Sequence, residues 1–167
     1  MNILLKVPRR LHDDVLADLH RPHAFAYERV GFLLARWAWR GATLLVIPFR
    51  YLPVADDRYI DDHAVGFRID RHAITAALQA TLDESAACLH VHAHSPIMPT
   101  FGSLDLAEQR RLIPSFFGVA ADAPHGALVV TGDTIDSRFW LRGGPSQVPA
   151  DRVAIVGHPL TTHAEAA

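Results

Sequence analysis

Residues 86–105 read AACLHVHAHSPIMPTFGSLD, and the first nine residues alternate as a half-buried strand does. Successive side chains of a strand point to opposite faces, so the four polar residues of this segment share one face: Cys88, His90, His92 and His94. The intervening residues, Ala87, Leu89, Val91 and Ala93, are apolar and predict a core-facing side. The strand therefore presents three imidazoles on a single face.

Two of these imidazoles have the spacing of metal ligands. His92 and His94 lie two residues apart on one strand face, about 6 to 7 Å apart, which lets them share an ion bound at about 2.0–2.1 Å. Asp105 follows at the start of the next predicted helix, and the proline-containing loop can return it to the strand end. Two histidines, one carboxylate and an open fourth position are typical of catalytic zinc. We therefore predict one Zn²⁺ bound by His92, His94 and Asp105.

Composition narrows the class of protein. The chain has 167 residues, 11 histidines and a single cysteine, which excludes an internal disulfide and a multi-cysteine metal site. A net charge of −2 argues against nucleic acid as a partner. No stretch reaches the roughly 18 apolar residues of a membrane span, so we expect a cytoplasmic protein without a membrane anchor. Eight histidines outside the strand are expected at the surface: His12, His20, His23, His63, His72, His125, His158 and His163.

Hydrophobic periodicity predicts an α+β fold, with helices packed on a mixed, largely antiparallel sheet. The predicted helices are Arg9–His20, residues 71–84 after an Asp70 N-cap, and residues 104–112 after a Ser103 N-cap. The predicted strands are Ile3–Val7, Arg29–Trp39, Thr43–Tyr51, Ala64–Ile69, Ala86–His94, Gly126–Thr131, Ser137–Arg142 and Arg152–Val156. The polar tail after residue 156 is expected to be disordered.

A metal-activated water needs a proton acceptor, and Glu28 is the best-placed acidic residue because it directly precedes a predicted core strand. Glu28, the His92-Ala93-His94 pair and an aspartate eleven residues later resemble the motif of the JAMM metalloprotease family, also called the MPN or JAB family. That motif has a Glu, then His-x-His, seven residues, Ser, two residues and Asp. The order of predicted elements also resembles the family over about residues 1–142.

The resemblance implies a fold, a site and a substrate class. It implies an MPN/JAB-like, cytidine-deaminase-like domain over 1–145, with a C-terminal strand and tail over 146–167. Glu28 would act as general base and later general acid. The family serine falls on Gly102, so either the neighbouring Ser103 or the Gly102 backbone amide would serve the tetrahedral intermediate. Ser95 stands where a proline commonly follows the second histidine.

The family implies hydrolysis of an amide or isopeptide bond after the C-terminal tail of ubiquitin or a ubiquitin-like protein. Such a tail would bind by strand addition beside the site, flanked by the loops 52–62 and 95–102. Activating (E1-like) and conjugating (E2-like) enzymes encoded nearby, as in bacterial conjugation or antiviral-defence operons, are the implied further partners.

Three other interpretations stay open at the level of sequence. A non-catalytic MPN-type scaffold would use the same fold as an interaction surface, and a zinc-dependent amidase would act on a small substrate. A cysteine nucleophile pairing Cys88 with His90 is the third, although buried free cysteines are usually inert. His90 itself lies outside the motif and is most simply a core or surface histidine, with a supporting role behind the ligands also open.

Overall fold

The sheet of this α+β protein carries the candidate site near its middle. The computed structural model describes residues 1–22, 24, 26–62, 66–94, 97–158 and the backbone of 161–164. Over these residues nine strands form one sheet in the order β7-β6-β5-β4-β2-β3-β1-β8-β9. The strands are β1 (Asn2–Pro8), β2 (Val30–Arg40), β3 (Thr43–Pro53), β4 (Ala87–Ala93), β5 (His125–Thr131), β6 (Thr134–Trp140), β7 (Ser146–Val148), β8 (Arg152–Val156) and β9 (Thr161–Ala164).

Three helices cover the two faces of this sheet. They are α1 (Arg9–Leu19), α2 (Arg71–Glu84) and α3 (Ser103–Leu112), with short 3-10 turns at Asp56–Arg58 and Ile113–Gly118. On one face, Val15 and Leu19 of α1 pack into the larger apolar cluster of the sheet. On the other face, Ala77 of α2 and Phe116 of the second 3-10 turn pack into a separate cluster. The sheet is therefore the middle layer of three.

The alternation of β4 divides its side chains between these two layers, as the sequence predicts. Ala87, Leu89 and Val91 belong to the cluster on the α1 side. Cys88 belongs to the cluster on the α2 side. Strand β4 pairs antiparallel with β2 and parallel with β5, so both of its backbone edges are used. His90 and His92, which share a face with Cys88, are buried as well.

The structure confirms Asp70 as the N-cap of α2. The carboxylate of Asp70 accepts a hydrogen bond from the backbone N–H of Ala73 at 2.9 Å, which satisfies one of the free donors at the helix start. The last helical residue is Glu84, and the C-cap residue Ser85 adopts the left-handed conformation with φ 47°. Helix α2 therefore begins and ends where the sequence predicts.

Three predictions about local structure are wrong. Residues 66–68 are not in a strand, and Ile69 forms only an isolated bridge with Tyr59, while Ala64 and Val65 lie outside the described residues. Helix α3 includes Ser103 as its first residue, and Gly102 is the N-cap. The tail contains strand β9, which pairs antiparallel with β8. Residues 161–164 form this strand despite their polar composition, because β8 provides a partner edge.

Several predicted strand boundaries also differ from those in the structure. Strand β3 continues two residues past Tyr51 to Pro53, and β6 begins at Thr134, three residues before Ser137. Because β7, β8 and β9 join the same sheet, the sheet continues through the boundary expected at residue 145. Among the helices of the described chain, none is both long and apolar enough to cross a bilayer.

Two histidines expected at the surface are buried. His12 of α1 and His125 of β5 are both in the interior. The pattern could have indicated the burial of His12, because Val15 and Leu19 follow it by three and seven residues on the same helix face. His125 begins β5, whose residues are buried on both faces through Val130.

Candidate metal centre

Four side chains from three separate parts of the chain converge where β4 ends. Ligand atoms of Glu28, His92 and His94 all lie within 4.8 Å of one another. Asp105 joins them from the first turn of α3, with its carboxylate oxygens 3.8 Å from Nε2 of His92 and 3.6 Å from Nε2 of His94. The sequence-predicted ligands and the predicted base are therefore neighbours.

The distances among the three predicted ligands suit one tetrahedral ion. The two Nε2 atoms of His92 and His94 are 3.1 Å apart. Ligands bound to zinc at about 2.0–2.1 Å in a tetrahedral site are separated by about 3.3 Å. The two Nε2 atoms, and the Asp105 oxygen nearest to each of them, are separated by 3.1 to 3.8 Å, close to that value. Glu28 is farther out, with Oε1 3.9 Å from Nε2 of His94.

The loop after β4 orients His94. Its Nδ1 lies 3.1 Å from the carbonyl oxygens of both Met98 and Thr100. A carbonyl only accepts, so Nδ1 carries the proton and Nε2 faces the site with a free lone pair. This is the arrangement that supporting hydrogen bonds give to metal-ligating histidines. Ser95, one residue further on, lies outside the described residues.

Asp105 is held by the backbone at the start of its own helix. Its Oδ2 accepts a hydrogen bond from the backbone N–H of Gly102 at 2.8 Å. A side chain at position 102 would place its Cβ 3.3 Å from that oxygen, so glycine lets the carboxylate come close. The Gly102 N–H group is thus already bonded to Asp105 and is not free to replace the missing serine.

The backbone around Glu28 fixes its position at the mouth of the site. The N–H groups of Tyr27 and Glu28 both donate to the carbonyl of Gly66, at 2.8 and 3.1 Å. A Cβ at position 66 would lie 3.0 Å from Oε2 of Glu28, so a larger residue there would push the carboxylate away. The next residue, Arg29, is buried and donates to Asp56 at 2.7 Å. This segment therefore anchors the carboxylate from both sides.

Burial sets the protonation of the site. Burial raises the pKa of Glu28, the nearby His94 opposes the rise, and the carboxylates of Asp105 and Glu108 add to it. Burial also lowers the pKa of His92 to about 4, which keeps its imidazole neutral near pH 7. A carboxylate with a raised pKa suits proton transfer, and neutral imidazoles suit metal binding.

Two grooves meet at this site. Both are lined by Glu28, His94 and Met98, and their volumes are about 680 and 480 Å³. The first groove extends along Arg21 and Tyr27, and the second along Phe67 and the start of α3. The candidate centre therefore lies where an extended chain could cross from one groove to the other.

Ser103 lines the second groove and is exposed at the N-terminus of α3. Asp105 and Glu108 line the same groove.

Sequence reasoning missed three supports of this site: Gly66 under Glu28, buried Arg29 beside it, and Gln109, which contacts His90 behind the ligands. Only Gln109 had a local signal, since it lies four residues after Asp105, about one turn along the same helix.

Comparison with known proteins adds no assignment. No protein-family model matches the chain, and no curated protein matches it. Among solved structures, the chain is similar to the STIL N-terminal domain of Trichoplax adhaerens, with a TM-score of 0.34 and 11% sequence identity. The match covers 78% of this chain and 38% of that chain, so this chain spans well under half of that protein's length. A likeness this weak carries no argument about fold family or function.

Proposed function

We propose that this protein is a zinc-dependent hydrolase of the JAMM type with an MPN/JAB-like fold. It cleaves an amide or isopeptide bond after the C-terminal tail of a ubiquitin-like protein. One observation carries the proposal: His92, His94 and Asp105, which match the motif in spacing, converge in space with Glu28, which matches it in order.

Asp105 is the better third ligand, and Glu28 the better base. Asp105 lies within 3.8 Å of both imidazoles, whereas the separation of Glu28 from His94 is 3.9 Å. Asp105 also has one oxygen held by the Gly102 amide, as ligating carboxylates commonly do. Glu28 keeps its carboxylate at the junction of the two grooves, where it can take a proton from water and pass it to the leaving amine.

Bound zinc would polarise the scissile carbonyl and make water acidic near neutral pH. The other catalytic roles belong to side chains of the protein. His94 is oriented by two carbonyls, Glu28 receives and returns the proton, and Ser103 offers a hydroxyl donor at the mouth. Since the Gly102 amide is already bonded to Asp105, Ser103 is the donor we assign to the developing oxyanion.

The surroundings favour a protein substrate over a small amide. Large apolar side chains are exposed around the site, with Ile97 90% exposed and Met98, Leu104 and Tyr27 also exposed. Apolar groups exposed together in this way are typical of surfaces that bind another protein. The strands β4 and β2 are each paired on both sides, so main-chain pairing with an extended tail would involve loops at the mouth.

Zinc analysis and substitutions of the two carboxylates, Glu28 and Asp105, test the proposal. We expect purified protein to hold about one zinc per chain and to cleave a ubiquitin-like protein carrying a C-terminal fluorogenic amide. Glu28→Gln should retain zinc and lower kcat by about 10²–10⁴-fold, because it removes the general base. Asp105→Asn should instead lose zinc affinity, because it removes a ligand.

Glu84→Gln is the matched control, since Glu84 forms surface ion pairs with Arg36 and Arg50 outside both grooves. It should leave zinc binding and cleavage unchanged. Zinc stoichiometry near zero would overturn the proposal and favour the scaffold. Cleavage of small amides without cleavage of any ubiquitin-like protein would favour the amidase.

A further inference from the structure

Three buried polar atoms behind the candidate metal centre are without hydrogen-bond partners in the described part of the chain. They are Nδ1 of His92, Nε2 of His90 and the carbonyl oxygen Oε1 of Gln109. The three residues are 0%, 1% and 2% exposed, respectively. A buried polar group without a partner costs free energy, so three in one place require a physical explanation.

Two of these atoms, Nε2 of His90 and Nδ1 of His92, are a complementary hydrogen-bond donor and acceptor. The amide N–H of Gln109 lies 2.9 Å from Nδ1 of His90, and when it donates there the His90 proton is on Nε2. Nδ1 of His94 donates to carbonyls, so its Nε2 accepts, and His92, 3.1 Å away, must donate from Nε2. His92 then has a free lone pair on Nδ1. His90 thus offers a donor where His92 offers an acceptor.

The two rings are neighbours, and the structure shows no hydrogen bond between them. Their centroids are 5.7 Å apart on the same face of β4. Phe32 and Phe67 contact the His90 ring, with centroids 5.4 and 5.7 Å away, and close the space around it with apolar walls. A ring rotation that brings Nε2 of His90 and Nδ1 of His92 within hydrogen-bond distance would connect the two residues.

Binding a metal through Nε2 forces His92 to move its proton to Nδ1, which turns it from acceptor to donor on the His90 side. We propose that Gln109 and His90 are positioning residues for His92, forming with it a hydrogen-bonded chain whose direction reverses when His92 binds zinc. In the reversed chain, Nδ1–H of His92 donates to Nε2 of His90. Nδ1–H of His90 then donates to the Gln109 carbonyl after the amide turns over.

Protons balance in this reversal. Each imidazole carries one proton before and after, and that proton moves from Nε2 to Nδ1 within its own ring. Histidine and glutamine are suited to the task because each can present either a donor or an acceptor at the same place. This inference rests on the proposed function, since it assigns His92 as a zinc ligand.

The decisive measurement is the tautomer of each ring, read by long-range ¹H–¹⁵N NMR on the full chain with labelled histidine. We expect His90 and His92 to carry their protons on Nε2 in metal-free protein and on Nδ1 in zinc-loaded protein. If zinc binds and His90 keeps its proton on Nε2, the reversing chain is wrong and the proposed function is untouched. If no zinc binds to the wild-type protein, the proposed function and this inference both fail.

Zinc affinity, measured by competition with a chromophoric chelator, provides a second readout. His90→Phe should weaken binding by about 10–100-fold, as loss of a supporting partner does. His90→Gln should recover most of it, because an amide can also donate or accept, and Gln109→Leu should weaken binding less than His90→Phe. His125→Phe is the matched control, since it removes a buried imidazole from the neighbouring strand and should leave zinc affinity unchanged.

Wild-type affinity in a folded His90→Phe protein would overturn the inference. If His90→Phe fails to fold, as judged by circular dichroism, the tautomers of the wild-type protein still decide it.

Discussion

His92 of β4 and His125 of β5 lie on neighbouring strands and are equally buried, at 0% exposure. Burial lowers the pKa of each to about 4. Their partners differ. Nδ1 of His125 accepts from the Cys88 N–H at 3.1 Å, and its Nε2 lies 2.9 Å from the Ala120 carbonyl. Both nitrogens of His125 are therefore committed to backbone groups, whereas His92 faces another imidazole and two carboxylates.

This difference shows that burial alone does not mark a metal ligand. A structural histidine uses both nitrogens to satisfy nearby backbone groups. A metal ligand keeps one nitrogen directed at other groups that can bind the ion, and Nε2 of His92 is directed at His94 and Asp105 in this way. Substitutions at His92 and His125 should therefore separate the two roles.

The largest expected difference is between His92→Ala and His125→Ala. His92→Ala should weaken zinc binding by about 100-fold or more, because a total zinc-binding free energy of roughly 10–16 kcal/mol is divided among few ligands. His125→Ala should keep zinc but lower the free energy of unfolding by about 2–4 kcal/mol, through a cavity and an unpaired Cys88 N–H. Chelator competition and urea denaturation measure the two effects. Equal zinc loss in both variants would contradict the assignment.

A second prediction concerns acid stability. The pKa of His125 is about 4 in the folded protein, below the value of about 6.5 for an unfolded chain. The unfolded state therefore binds the proton first, and the stabilisation present above pH 6.5 is lost as pH falls toward 4. The loss should reach about 3 kcal/mol from this residue.

Urea denaturation at several pH values, with chelator present, tests this. His125→Phe should show a shallower decline between pH 6.5 and 4 than the wild-type protein, because it removes the group that titrates. Parallel declines in the two proteins would show that His125 does not contribute.

At the mouth of the site, Ser103→Ala should lower kcat by about 10-fold while leaving zinc affinity unchanged. A dedicated oxyanion donor is worth about 100–1000-fold, and we expect less from a serine one position away from the family pattern. Ser115→Ala is a matched control, because the Ser115 hydroxyl donates to the Leu112 carbonyl at the far end of α3. Unchanged kcat in Ser103→Ala would remove Ser103 from the mechanism.

The smallest effect is expected for Cys88→Ala. Burial raises the pKa of the Cys88 thiol to about 12, so it is not a nucleophile near pH 7. We expect cleavage to stay at the wild-type rate and the thiol of the native protein to resist a water-soluble thiol reagent. Loss of cleavage in a folded Cys88→Ala protein would revive the cysteine–histidine interpretation.

Local patterns in the sequence predicted much of the fold. Alternation predicted the two faces of β4, and Asp70 predicted the start of α2, because each depends on neighbouring residues. Strand β9 and the true state of residues 66–69 were not predictable in this way. A polar segment becomes a strand only if a partner edge is available, and β8 provides that edge for β9.

By itself, the sequence determined the spacing of His92, His94 and Asp105, because residue spacing along one strand and into the next helix is a local property. Only the tertiary structure decided that Glu28 lies beside them, held under Gly66, and that Gln109 contacts His90. It also gave His92 and His125 different partners, with His92 facing His94 and Asp105 and His125 bonded to backbone groups. Those facts depend on contacts between segments far apart in the chain, which burial and strand pairing create and no local pattern encodes.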